Sequence, residues 1–75
     1  MAAPSAPPPI LRYFEFTHLP EDLRRVSMPF SELAHRLAVL LPPGPELSVA
    51  LRKLLESKDA AVRAALPPRT EEATR

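Results

Sequence analysis

Apolar residues recur at helical spacing over two long stretches of the chain. In the first stretch they fall three, four and seven positions apart, which is the period of one helix face. They are Phe30, Leu33, Ala34, Leu37, Leu40 and Leu41. Between 45 and 66 the same period holds for Leu47, Ala50, Leu51, Leu54, Lys58, Ala61, Val62 and Ala65. The pattern predicts two amphipathic helices whose apolar faces pack together.

Prolines mark where these helices begin and end. The segment 41–45, LPPGP, cannot continue a helix, and its last proline is preset for the start of the next one, so a hairpin is predicted. A short helix is predicted over 20–27, because a proline and two carboxylates open it. Pro29 predicts a kink or a restart after that short helix, with Ser27 as the cap.

The two ends of the chain differ in composition from its middle. Residues 1–11 are rich in proline and almost free of charge, which predicts a disordered, extended arm. Residues 67–75 form a polar tail. The predicted domain therefore covers 12–66 and is all-α, with a short N-terminal helix followed by an antiparallel two-helix hairpin.

Three of the four aromatic residues lie in the segment 12–18, RYFEFTH. Because so short a segment cannot form a sheet alone, it is expected to lie across helices of its own chain or of a neighbouring one. Aromatic rings beside Arg12, His18, Arg24 and Arg25 can stack on bases while the basic groups meet phosphates. The alternative is that the rings anchor the core and the arginines are solvated.

The size of the chain predicts self-association. About 50 ordered residues rarely form a stable core without a disulfide, a metal or a partner subunit. The sequence has no cysteine, and its two histidines lack companions that would complete a metal site. Leu55, Val62 and Leu66 also widen the apolar stripe of the second helix beyond what one neighbouring helix covers, so we expect them to be buried between subunits.

Composition excludes several classes of function. Ten basic residues against nine acidic ones give no strong positive excess, which argues against a DNA-coating protein or a DNA-binding regulator. No apolar run approaches the ~20 residues that span a bilayer, and the start of the chain has no secretion signal, so a cytoplasmic protein is expected. No nucleophile with a base, carboxylate pair or glycine-rich phosphate loop is found, so neither catalysis nor a cofactor is predicted.

Charged residues on the second helix are predicted to pair along it. Arg52 is placed for an ion pair with Glu56, and Asp59 for one with Arg63, both worth only tenths of a kcal/mol when exposed. Lys58 differs because it lies on the apolar seam. Its ammonium group must either reach out to water or find an anion.

Several of these features occur together in one known arrangement. They are the aromatic segment ending in Phe16-x-x-Leu19, the acidic helix start at Glu21-Asp22, the two-helix hairpin, and the closing pattern Ala50, Leu54, Ser57 and Arg63-Ala64. In this layout the stretch 14–66 resembles the phage anti-CBASS sponges, small proteins that sequester cyclic oligonucleotide signals of bacterial immunity. The resemblance extends to the hairpin domain that they share with anti-Thoeris proteins.

The resemblance implies an oligomer, typically a hexamer, that holds cyclic di- or trinucleotides at sites between or among subunits without cleaving them. Residue by residue, it puts base stacking on Phe16. The separate trinucleotide sites near a symmetry axis would use Ser57 as their small residue and Arg63 as their phosphate-binding arginine. The lysine that the family carries in its first helix has no counterpart here, so Arg24 or Arg25 would replace it.

The sequence thus leads to two hypotheses of function. The first is a phage-encoded sponge for a cyclic di- or trinucleotide in the host cytoplasm. The alternative is a helical module that inhibits or regulates a host factor by docking through Leu55, Val62 and Leu66. The candidate ligand-binding residues are Phe16, His18, Arg24, Arg25, Ser57 and Arg63.

Overall fold

The computed structural model describes residues 8–66, which are mostly helical and include no strand. A 3₁₀ helix, Pro9–Phe14, is followed by helix α1, Glu21–Leu40, and helix α2, Pro45–Ala65. The two α-helices pack against each other as a hairpin, and the 3₁₀ helix contacts both. The all-α hairpin is therefore confirmed, whereas residues 1–7 of the predicted arm and the predicted tail 67–75 lie outside the described residues.

The turn of the hairpin follows the prolines as predicted. At the end of α1 the Leu41 N–H donates to the Leu37 carbonyl at 3.0 Å, and the backbone of Leu41 is then extended. Pro45 occupies the first turn of α2, where the N–H that it lacks would have had no intrahelical partner. The Ser48 N–H donates to the Gly44 carbonyl at 3.1 Å and closes the first turn.

Helix α1 runs without interruption through Pro29, so the predicted short helix over 20–27 and the restart after it are wrong. Pro29 removes one helical hydrogen bond, from its own position to the Arg25 carbonyl. Both residues are exposed, and water can therefore solvate the freed carbonyl. The continuous packing of α1 against its neighbours outweighs the local preference of a single proline.

Ser27 is likewise no cap, because it lies inside α1 and is completely buried. Within the described part of the chain its Oγ has no hydrogen-bond partner. A buried hydroxyl without a partner destabilises the fold because its hydration is lost and not replaced. Ser31, one turn further along the same face, is also buried. These small side chains let neighbouring elements approach α1 closely.

Replacing Ser27 by alanine is expected to stabilise the protein. The Ser27→Ala change removes the unsatisfied hydroxyl and improves helix propensity, which together should raise the free energy of unfolding by about 1 kcal/mol. Urea denaturation followed by circular dichroism measures the change. Ser57→Ala, at an exposed position of α2, is the control for propensity alone and should give a smaller gain. A less stable Ser27→Ala protein would contradict the assignment of Ser27 as unsatisfied.

The core lies where the 3₁₀ helix meets the hairpin. Its buried apolar residues are Leu11, Phe14, Ala34, Leu47 and Leu51, and Phe14 and Leu51 are fully buried. The aromatic segment, as far as Phe14, lies across the helices of its own chain, which is one of the two predicted alternatives. Ile10 and Leu11 depart from the prediction of a disordered arm up to residue 11, because Leu11 is part of the core and Ile10 packs against it. The burial of Leu11 and the partial burial of Ile10 are the reason that the helical domain begins before residue 12.

One side of the apolar stripe of α1 is left uncovered by the other residues of 8–66. Leu33, Leu40 and Leu41 were predicted to face the hairpin core, yet they are exposed by 42%, 67% and 41%. The stripe is wider than the surface that α2 and the 3₁₀ helix can cover together. Leu55, by contrast, packs against the core, so the larger apolar surplus lies on α1 and not on α2.

Candidate binding cleft

A cleft of about 390 Å³ lies between the N-terminal segment and the C-terminal half of α2. The residues that line it are Arg12, Tyr13, Glu15, His18, Leu19, Lys58, Asp59, Val62 and Arg63. One wall comes from the end of the 3₁₀ helix and the chain that leads to α1. The other comes from two successive turns of α2. The cleft therefore exists only because the N-terminal segment folds onto α2.

Lys58 ties these two walls together. Its Nζ donates a hydrogen bond of 2.9 Å to the main-chain carbonyl of Tyr13, and only 13% of its side chain is exposed. The carboxylate of Asp59 lies 3.5 Å from the same nitrogen. The sequence left two alternatives, a lysine that reaches water or one that meets an anion. The structure adds a third partner, a carbonyl from the other side of the cleft.

Tyr13 offers an aromatic surface at the rim of the cleft. Its side chain is 53% exposed, and the guanidinium carbon of Arg12 lies 5.1 Å from the centre of its ring. Nη2 of Arg12 also donates a hydrogen bond of 3.2 Å to the Tyr13 hydroxyl. That hydrogen bond, with the charge interaction between the same two groups, raises the pKa of Arg12 above its usual value. The guanidinium of Arg12 thus lies over one face of the Tyr13 ring.

The predicted ion pairs along α2 form with different partners. Glu56 pairs with Lys53 at 3.9 Å where Arg52 was predicted, and Asp59 pairs with Lys58 where Arg63 was predicted. An exposed pair such as Lys53–Glu56 differs from its alternative by only tenths of a kcal/mol, so spacing alone does not select the partner. Among the described residues no carboxylate lies within ion-pair distance of Arg63.

The structure brings together two of the six residues predicted for the site. His18 and Arg63 both line the cleft. The other four, namely Phe16, Arg24, Arg25 and Ser57, are not among its lining residues. Phe16 is half-buried, and Ser57 is exposed on another side of α2. Arg25 pairs with Glu21 at 3.1 Å on the exposed first turns of α1.

The predicted set missed Arg12, Tyr13, Glu15, Lys58 and Asp59 as residues of one cleft. Two signals were present in the sequence: a lysine on an otherwise apolar seam, and an arginine directly before a tyrosine. Neither signal predicts that Lys58 contacts Tyr13, because the hydrogen bond between them spans 45 positions of the chain.

Ser31 and His35 form the one serine–histidine contact in the described residues, with Oγ and Nδ1 3.5 Å apart. Nδ1 also lies 2.8 Å from the Ser31 carbonyl, and only a protonated nitrogen can donate to that oxygen. In that state Nδ1 has no lone pair to take the hydroxyl proton. The geometry is that of a histidine bonded back to its own helix, not of an activated nucleophile.

A second cleft of about 370 Å³ lies at the hairpin turn and is mainly apolar. It is formed by the residues Pro8, Pro9, Ile10, Pro43, Gly44, Leu47, Ser48, Leu51 and Arg52. Across 8–66, no three histidine, aspartate or glutamate side chains converge as a metal site would require. Neither α1 nor α2 combines the length and apolar character needed to cross a bilayer.

Comparison with known proteins adds no relative. The chain has no significant match to a protein-family model, to a curated protein or to a solved structure.

Proposed function

We propose that this protein binds a cyclic di- or trinucleotide signal and holds it without cleaving it. The observation that carries the proposal is the cleft in which the exposed ring of Tyr13 lies against the guanidinium of Arg12, and which Arg63 also lines. A cyclic oligonucleotide presents flat bases and one negative charge at each phosphodiester. Aromatic faces and arginine forks are the two protein groups that complement those features.

The charge of the cleft fits a ligand of this class, and its size suits one nucleotide unit of such a ligand. Its volume of about 390 Å³ lies within the usual range of small-molecule sites, about 300–1,000 Å³. Arginine makes bidentate contacts with phosphate, so a few placed groups suffice in a chain whose charge is nearly balanced. In this proposal Arg63 and Arg12 meet phosphates, and His18 adds a further donor at the rim.

The proposal includes assembly into a homo-oligomer, a hexamer by resemblance to the anti-CBASS sponges. Two observations favour assembly: a small domain with a modest core, and the exposed apolar residues Leu33 and Leu40 on α1. Residues of the predicted site that one chain leaves outside the cleft would then act at subunit contacts. They are Phe16, Arg24, Arg25 and Ser57.

As a sponge, the protein acts by mass action. It lowers the free concentration of the signal when its dissociation constant is below that concentration and when enough copies are present. A phage-encoded protein in the host cytoplasm would in this way blunt an immune response that depends on the signal. The activity needs neither a cofactor nor turnover.

Recovery of an intact ligand is the direct test. The purified full chain is incubated with cyclic di-GMP, cyclic di-AMP, cyclic GMP-AMP and cyclic tri-AMP, separated from free ligand and denatured by heat. We expect at least one member to be released unchanged, as identified by mass spectrometry. Sedimentation of the same sample is expected to give a mass above that of one chain. Release of a linear product would replace the proposal by an enzyme, and a single-chain mass would remove the oligomer.

A second function is favoured by a specific observation, the exposed apolar surface of α1 and the hairpin turn. Its members are Leu33, Leu40 and Leu41, which are exposed by 42%, 67% and 41%. Such a surface suits a module that docks on a host protein and inhibits or regulates it. Failure to recover any member of the panel, with the protein folded, would favour this function over the sponge.

A further inference from the structure

Two carboxylates line a cleft that otherwise suits an anion. Glu15 lies on the N-terminal wall and Asp59 on α2, both facing the same space as Arg12 and Arg63. A ligand that carried only phosphates at this surface would be repelled by each carboxylate. Carboxylates in such a place are useful where the ligand also presents hydrogen-bond donors. Nucleobases supply such donors on their edges.

The two carboxylates differ in what they already bind. Asp59 lies 3.5 Å from the Lys58 ammonium group, so part of its accepting capacity is taken within the chain. For Glu15, no cationic nitrogen of residues 8–66 lies within ion-pair distance. Glu15 is exposed and ends the 3₁₀ helix in an extended backbone conformation, with φ −63° and ψ 143°. It stands two positions after Tyr13, the aromatic residue at the rim.

We infer that Glu15 reads the edge of a guanine base that stacks at Tyr13, so that the cleft selects guanine-containing cyclic nucleotides. This inference rests on the proposed function and specifies its ligand. Guanine presents two adjacent donors on one edge, N1–H and the 2-amino group, and a carboxylate has two oxygens that accept both. The pairing is charge-assisted and bidentate, the geometry with the greatest discrimination.

Other bases match a carboxylate less well. Adenine places the acceptor N1 next to its amino group, so a carboxylate that accepts from the amino group also faces a lone pair. Uracil flanks its single N–H donor with two carbonyl oxygens. A site that binds a pair of donors rejects analogues that lack one of them, because its own acceptor is then left without a partner.

Calorimetric titration with two probes tests the inference. Cyclic di-GMP and cyclic di-AMP have the same charge and ring, and they differ only in the base. We expect the wild-type protein to bind cyclic di-GMP about tenfold or more tightly than cyclic di-AMP. Glu15→Gln should weaken the binding of cyclic di-GMP by about tenfold, because an amide has one acceptor oxygen in place of two. The same change should leave cyclic di-AMP equally or more tightly bound, since a repulsive charge is lost.

Asp59→Asn is the matched control, because it removes the other carboxylate of the same cleft. Its effect is expected to be similar for the two probes. Equal binding of both probes by wild type, or a Glu15→Gln protein that keeps its preference for cyclic di-GMP, overturns the inference and leaves the proposed function standing. If the protein binds cyclic tri-AMP but neither probe, the inference is overturned and the proposed function stands. If it binds no cyclic nucleotide, the inference and the proposed function are both overturned.

Discussion

Replacing Phe14 by alanine is expected to leave the protein largely unfolded at room temperature. The Phe14 ring is fully buried where the 3₁₀ helix meets the hairpin. Truncating a buried phenylalanine costs about 3–5 kcal/mol, since the apolar contacts are lost and a cavity remains. A core of this size supplies about the same amount in total. Circular dichroism should therefore show a large loss of helix in Phe14→Ala.

The neighbouring residue provides a close control. Tyr13→Ala also removes an aromatic side chain from the 3₁₀ helix, but that side chain is about half exposed. Its loss should lower the free energy of unfolding by less than half of the Phe14 effect, and the helix content should remain. If the two variants lost equal stability, the N-terminal segment would not be anchored through Phe14, and the core would have to lie elsewhere.

The hairpin could be predicted because its determinants are local. The second helix was predicted over 45–66 and occupies Pro45–Ala65. Its limits follow from the prolines and from the helical repeat of apolar residues, which can be read within the segment itself. The break at Pro29 was wrong because local rules count one missing hydrogen bond and omit the tertiary packing along the rest of α1. At that position the packing of the whole helix determines that the helix continues.

The N-terminal segment could not be predicted in the same way. Its prolines suggest an extended arm, and a 3₁₀ helix of six residues has too few positions to display a period. Leu11 and Phe14 are three apart, the repeat of a 3₁₀ turn, and both point into the core. In the sequence that pair is indistinguishable from two apolar residues in a loop. The N-terminal segment becomes ordered because it packs on the hairpin.

The residues of the cleft likewise fall into those that could be predicted from local sequence and those that depend on long-range contacts. Arg63 and His18 were found from residue type and position, and both line the cleft. Glu15 and Lys58 acquire their roles only when the 3₁₀ helix docks on α2. The hydrogen bond from Lys58 to the Tyr13 carbonyl connects the two, so the same contact that completes the fold also fixes the wall of the cleft.

Replacing Arg63 by alanine is expected to weaken binding of cyclic nucleotides while the fold is kept. Arg63 is exposed in the last turn of α2, and within the described residues its guanidinium forms no ion pair, so its loss should leave the melting temperature without ligand nearly unchanged. A charge-assisted hydrogen bond to a phosphate is worth about 1.5–3 kcal/mol. Calorimetry should therefore show that Arg63→Ala binds each ligand of the wild type about tenfold to a hundredfold more weakly than the wild type does.

Two further variants separate a specific contact from net charge. Arg36→Ala removes another exposed arginine, one on α1 that does not line the cleft. Its binding should stay within about twofold of wild type, because a charge outside the site is screened by salt. Arg63→Lys keeps the charge but loses the planar fork, so it should restore only part of the affinity. Affinity that falls equally in Arg63→Ala and Arg36→Ala would mean that attraction is diffuse, and Arg63 would then have no place in the site.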